Sequence, residues 1–126
     1  MIRYKTLDVS TVFKRYQQVM EGKSHRNRVV DELEGYQIKF SSHRLWTFNQ
    51  HGTTCSNCGA SGDFFAVEKN HEGEERPHIN LYARTEDGEV LLTKDHVNPR
   101  SKGGKNHINN YQTLCKPCNE AKDDNT

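Results

Sequence analysis

Two Cys-x-x-Cys pairs, Cys55/Cys58 and Cys115/Cys118, constrain this chain more than any other feature. Two residues between the thiolates let both reach one tetrahedral ion, so two such pairs read as a single structural zinc site. Two disulfides or free core thiols are the alternatives. The chain opens Met1-Ile2-Arg3-Tyr4-Lys5, mixed and polar, with no apolar signal segment. That points to the cytosol, where disulfides are rare, and favours zinc. The gap between the pairs exceeds the usual finger spacing, so knuckles distant in sequence must meet in space. Such a staple is needed. Only 32% of the 126 residues are hydrophobic, below the usual share for a globular domain. A large core is not expected from one domain of this size with an appendage.

Net charge is +1, so there is no strong basic signature for nucleic acid. The charge is uneven, however. Residues 1–50 carry nine Lys/Arg against five Asp/Glu, and residues 51–126 carry nine against twelve. A charge run is more often a solvated face than a binding site. No internal repeat, low-complexity tract or membrane span is visible.

In chain order, Asp8-Val9-Ser10 predicts a helix start, with Val9, Val12, Phe13, Tyr16 and Met20 as its apolar stripe and Gly22 past its end. Packing on its own domain is the favoured role of this stripe. Lys23–Arg28, with Arg26 and Arg28, is a basic cluster that fits either a backbone phosphate or a solvated linker. Val29 to Phe40 is ambiguous between helix and strand. Phe64–Val67, Ile79–Ala83 and Val90–Thr93 read as strands, the last two joined by a turn around Asp87-Gly88. A short helix is expected from Asn119 to Lys122.

Chemistry concentrates at Lys94-Asp95-His96 and in the Pro/Gly-rich loop that follows, Pro99 to Gly104. Hydrolysis of a phosphodiester needs a base for water and stabilisation of negative charge on phosphate and leaving oxygen. A neutral imidazole suits the first, and a hard cation held by oxygen ligands suits the second. His96 and Asp95 supply these residue types. Neighbours on a regular strand point to opposite faces. For both to serve one site, the backbone must bend or the metal must sit at the edge of the turn. Arg100, Lys102 and Lys105 stand on the adjoining loop and read either as phosphate contacts or as a solvated loop. The other histidines (25, 43, 51, 71, 78 and 107) read as surface residues.

In order and spacing, Asp95-His96, the Pro99–Gly104 run, Asn110 and Cys115-Lys116-Pro117-Cys118-Asn119 resemble the HNH endonucleases, the ββα-metal nucleases. The resemblance covers about Leu45 to Lys122. It implies that His96 is the general base, that Asn110 orients the loop carrying it, and that Asp95 and Asn119 are ligands of one catalytic Mg²⁺ or other divalent ion. It also implies one structural zinc on Cys55, Cys58, Cys115 and Cys118, with Lys122 in the place of a commonly basic residue. Tyr111 stands where leucine is more usual, Asn98 replaces an apolar residue, and Asp123 stands where glycine is common.

The expected fold is therefore small α+β: a ββα-metal core stapled by a four-cysteine zinc site, with an N-terminal helical extension. The two strands of the core are expected near Tyr82 and Leu91. Residues 1–44 are the extension, a source of DNA contacts or of a surface for a second copy or a protein partner, and residues 45–126 the nuclease domain. The expected activity is metal-dependent DNA cleavage, as nicking by a monomer or double-strand cleavage by a dimer. A catalytically inactive zinc-stapled binding module and a nuclease acting on RNA or branched DNA are the alternatives. The expected setting is cytoplasmic, without membrane contact, and a small nuclease of this form suits a phage or mobile element.

Overall fold

A computed structural model describes residues 1–122; Asp123, noted above, lies outside the described residues. The chain runs β1 (Ile2–Asp8), α1 (Val9–Met20), β2 (Val30–Leu33), β3 (Tyr36–Lys39), α2 (His43–His51), β4 (Phe64–Lys69), β5 (His78–Thr85), β6 (Gly88–His96), β7 (Tyr111–Cys115) and α3 (Lys116–Lys122). Short 3₁₀ turns occupy Arg100–Lys102 and Ile108–Asn110. The main sheet has the order β1-β4-β5-β6-β7, every neighbour antiparallel. β2 and β3 form a separate hairpin. The class is small α+β, as expected. Among the described residues, no helix is long and apolar enough to cross a membrane.

Register sorts the side chains onto two faces. Phe64 pairs Tyr82, Tyr82 pairs Leu91, and alternation carries that face on to Thr93 and Asp95. The opposite face carries Phe65, Leu81, Leu92 and His96, and it holds the core. Phe13 of α1 and Phe48 of α2 both meet the Phe65 ring there, with centroids 5.7 Å and 6.3 Å away. The apolar spacing in α1 has this cause: Val12, Tyr16, Val19 and Met20 are buried against the sheet. Asp8 is the N-cap residue of α1, although its side chain makes no capping bond.

Several elements differ from the sequence reading. The polar start of the chain is β1, an edge strand in which Leu7 alone is buried. Its backbone pairs with β4, a partner that a polar sequence does not reveal. Residues 30–39, ambiguous in sequence, form a hairpin. Its two loop residues, Glu34 and Gly35, both adopt positive φ, as a tight type I′ hairpin requires. Helix α2 was not anticipated, although Ser42 caps it by accepting from Leu45 N at 3.2 Å. β7 was also missed. The expected strands near Tyr82 and Leu91 do pair, as β5 and β6. The helix packs instead on β6 and β7, because β7 runs directly into α3 at Cys115 and Lys116.

Candidate active site and metal centre

The four cysteines meet where the α2–β4 connection crosses the start of α3. Cys55 to Gly59 forms a knuckle: Cys55 N donates to Ala60 O at 2.8 Å and Gly59 N to Cys55 O at 3.0 Å. Gly59 takes φ 81°, a conformation that disfavours a side chain. Cys115 ends β7 and Cys118 lies one turn into α3. All four Sγ atoms lie within 4.8 Å of one another. A tetrahedron with Zn–S bonds of about 2.3 Å has edges of about 3.8 Å, and Cys58 Sγ and Cys115 Sγ are 3.7 Å apart. The donor set and its size therefore fit one zinc ion. Asn57 Nδ2 donates to Cys118 Sγ at 3.3 Å, an outer contact of the kind that orients a ligand. Burial raises Cys55, but N–H groups of Cys58, Cys115 and Asn57 outweigh it and bring it below its usual range. Burial and the neighbouring sulfurs push Cys115 up.

β6 continues without a break through Asp95 and His96, paired with Gln112 and Tyr111 of β7. The two residues point to opposite faces, yet both border one open cleft of about 460 Å³ that wraps the strand's end. Lys94, Arg100 and Asn119 line the same cleft. The strand does not bend here, so of the two arrangements the sequence allowed, only one at the edge of the turn is compatible with this geometry.

On the α3 face, Asp95 Oδ2 accepts from Gln112 Nε2 at 2.9 Å and from Lys122 Nζ at 2.7 Å. Lys122 Nζ also donates to His96 O at 2.6 Å, tying α3 to the strand end. Thr93 Oγ1 donates to Leu114 O at 2.7 Å, so toward Asn119 it can only accept, and it does so from Nδ2 at 2.9 Å. That bond sets the carboxamide's orientation and makes Oδ1 the atom it offers elsewhere. Asp95 and Asn119 both border the cleft and carry oxygen atoms, the donor type that a divalent cation such as Mg²⁺ takes.

On the opposite face, His96 Nε2 donates to Asn106 Oδ1 at 2.7 Å, leaving the lone pair on Nδ1. The imidazole stands edge-on to Tyr111, with centroids 5.2 Å apart. Tyr111 Oη lies 2.6 Å from His43 Nδ1. Burial, then the Lys94 charge, lowers His43 below the usual histidine range, so this imidazole is biased to the neutral form.

Asn110 laces the intervening loop. Its Oδ1 accepts from Asn98 N at 2.9 Å, and its Nδ2 donates to Asn98 O at 3.1 Å and Lys105 O at 2.9 Å. Inside the loop Gly104 lies so close to Asn98 that a Cβ there would be 1.7 Å from the carbonyl oxygen. Only glycine fits.

Residues 82–126 match the family model of the HNH endonucleases. The match covers Asp95, His96, Asn110, Asn119, Cys115 and Cys118. It begins after Cys55 and Cys58, which the fold brings to the HNH segment from outside. Searches of curated proteins and of solved structures found no match. The family is one of nucleases, and a nucleic acid is the substrate class it implies.

Of the remaining residues singled out in the sequence, Arg100 and Lys102 occupy the 3₁₀ turn beside the cleft, and Lys105 contributes its carbonyl to Asn110. Arg26 and Arg28 sit in the connection after α1 and do not border the cleft. Sequence reasoning missed Asn106, Gln112, Tyr111 and His43. None has a local signature, since each acquires its partner across the fold. His25 and His43 are corrections to the surface assignment. Both contact Trp46, and His25 stacks on it with centroids 4.1 Å apart.

Proposed function

We propose that the protein is a metal-dependent endonuclease hydrolysing DNA phosphodiester bonds. The observation that carries this reading is the convergence of Asp95, His96 and Asn119 on one cleft, within the segment that matches the HNH family. His96 takes a proton from the attacking water through Nδ1, with Nε2 committed to Asn106. Asp95 and Asn119 would hold one Mg²⁺ or similar ion, which when bound supplies charge stabilisation to the phosphate and the departing oxygen. Asn110 keeps the loop, and with it the cleft wall at Pro99 to Ser101, in one shape. Arg100, Lys102 and Lys105 hold the scissile strand by its phosphates. Arg26 and Arg28 extend that contact from the N-terminal side.

Four thiolates leave no open position for water, so zinc is structural. The hydrolytic groups lie in residues 45–126. Residues 1–44 give β1 and α1 to the same assembly, and we assign to them the nucleic-acid or partner surface. One site cuts one strand, so a monomer nicks and a double-strand break takes a dimer or two events. The family resemblance implies 5′-phosphate and 3′-hydroxyl ends.

Plasmid nicking tests the reading. Supercoiled DNA should be nicked with Mg²⁺ or Mn²⁺ and not without, and His96→Ala should lose about 10²–10⁴-fold in rate while remaining folded and zinc-loaded. Equal nicking by wild type and His96→Ala would remove the imidazole from the mechanism. Preference for RNA or a branched duplex over plasmid would move the substrate class.

A further inference from the structure

A recess opens at the start of α2, the helix end opposite the one that leads into the zinc knuckle. Arg44 is the second residue of that helix, and its Nη2 donates to Ile79 O at 3.0 Å. Its Nε is sequestered from solvent and has no hydrogen-bond partner. No carboxylate pairs with Arg44 among the described residues. Arg44 as a whole is partly buried, and a guanidinium partly withdrawn from water is usually offset by a counter-charge.

Arg44 lines a recess of about 270 Å³, together with Lys39, Ser42, Arg76 and His78. The volume is small for an organic cofactor and ample for one phosphate. Ser42 is the N-cap of α2, so the first-turn N–H groups of His43 and Arg44, which have no intrahelical acceptor, start at this wall. Two carboxylates also border the recess, and both are engaged. Glu74 pairs with His78 Nε2 at 2.9 Å and with Asn70 N. Glu75 is exposed and lies 3.6 Å from Arg76. Neither neutralises Arg44.

The recess is electrostatically linked to the catalytic cleft. Burial, then the charges of Arg44 and Arg100, hold the Lys94 amine below its usual range. Lys94 and Arg100 line the cleft, so the Arg44 charge is felt at one of its walls.

We propose that Arg44, the first turn of α2, Lys39 and Arg76 form an anion site for a phosphate of the nucleic-acid strand, remote from the bond that is cut. The identity of the occupant rests on the nuclease reading; the affinity for phosphate does not.

Two measurements on the zinc-loaded full chain test this separately. The first is thermal unfolding in inorganic phosphate against chloride of equal ionic strength. Phosphate should raise Tm by more for the wild type than for Arg44→Gln, which keeps only the general effect of the salt. An equal rise in both would mean general exclusion from the surface and would overturn the site. The second is duplex binding by His96→Ala protein across a salt series. Adding Arg44→Gln should lower the slope of log K against log salt by about 0.9, the loss of one phosphate contact, and Arg44→Lys should restore it. An unchanged slope would show that the recess does not meet the strand. If Arg44→Gln does not fold, Arg76→Gln at the rim takes its place in both arms. Phosphate binding through Arg44 in a protein that never nicks DNA would keep the site and reject the nuclease reading.

Discussion

Asn110 offers the sharpest test of how the loop beside His96 is held. Its carboxamide makes three bonds, accepting once from Asn98 N and donating to Asn98 O and Lys105 O. Each is worth about 0.5–1.5 kcal/mol net, toward the low end on a loop open to water. Asn110→Ala should therefore cost about 1.5–3 kcal/mol. Asn110→Asp keeps the shape and the accepted bond, loses both donors, and sets a carboxylate oxygen against two carbonyls. It should cost at least as much as the alanine change, although it deletes fewer atoms. Urea unfolding of zinc-loaded protein at pH 7 measures both, and nicking assays should show a fall in kcat for each. The introduced carboxyl has a raised folded pKa, because only its protonated form can donate. By linkage the deficit of Asn110→Asp relative to wild type is full above that folded pKa and shrinks as pH falls through it. An Asn110→Asp protein as stable and active as wild type would refute the lacing argument, since it would show the two donated bonds to be dispensable.

Three further outcomes follow from the geometry. Chelating zinc, or Cys118→Ser, should unfold the chain by circular dichroism. Structural zinc sites contribute about 10–16 kcal/mol in peptides, comparable to the whole stability of a domain at about 5–15 kcal/mol. Glu68 is buried and accepts from Arg3 Nε at 2.8 Å, Asn80 Nδ2 at 2.8 Å and Tyr82 Oη at 2.5 Å. Burial pushes its carboxyl up, but these donors outweigh burial and lower it, so its contribution is full above the ordinary carboxyl pKa and is lost as pH falls through the depressed folded value. Arg3 keeps Glu89 as a second partner, so Glu68→Gln should cost about 1.5–3 kcal/mol at pH 7 and flatten the acid limb of the stability curve. Tyr111→Phe removes the His43 bond and leaves the ring against His96. Its expected cost is about 1–2 kcal/mol in stability with the pH profile of nicking unchanged; a shifted profile would assign the hydroxyl a part in tuning His96.

Much of the fold class was legible because its signals are local. The spacing of Val12, Tyr16 and Met20 reports a buried helical face, the alternation in 79–93 reports strands, and two thiols separated by two residues report a metal knuckle. The four-thiol cluster then has one economical arrangement, which brings residues 55–58 to the start of α3. The candidate site residues could be named in advance, because Asp95, His96, Asn110 and Asn119 carry their spacing in the chain, and Asp95, His96 and Asn119 come to border one cleft. What stayed hidden depends on partners far away in sequence. β1 is polar and is a strand only because β4 offers it a backbone ladder. His43 sits 68 residues from Tyr111, and Arg44 sits 35 residues from Ile79. The sequence alone nominated which side chains could do chemistry, since residue type and short-range spacing decide which groups can serve as ligand or base. The tertiary structure decided which faces they occupy, which partner holds each one, and which partly buried cation faces no carboxylate, because those properties are sums over contacts that only folding creates.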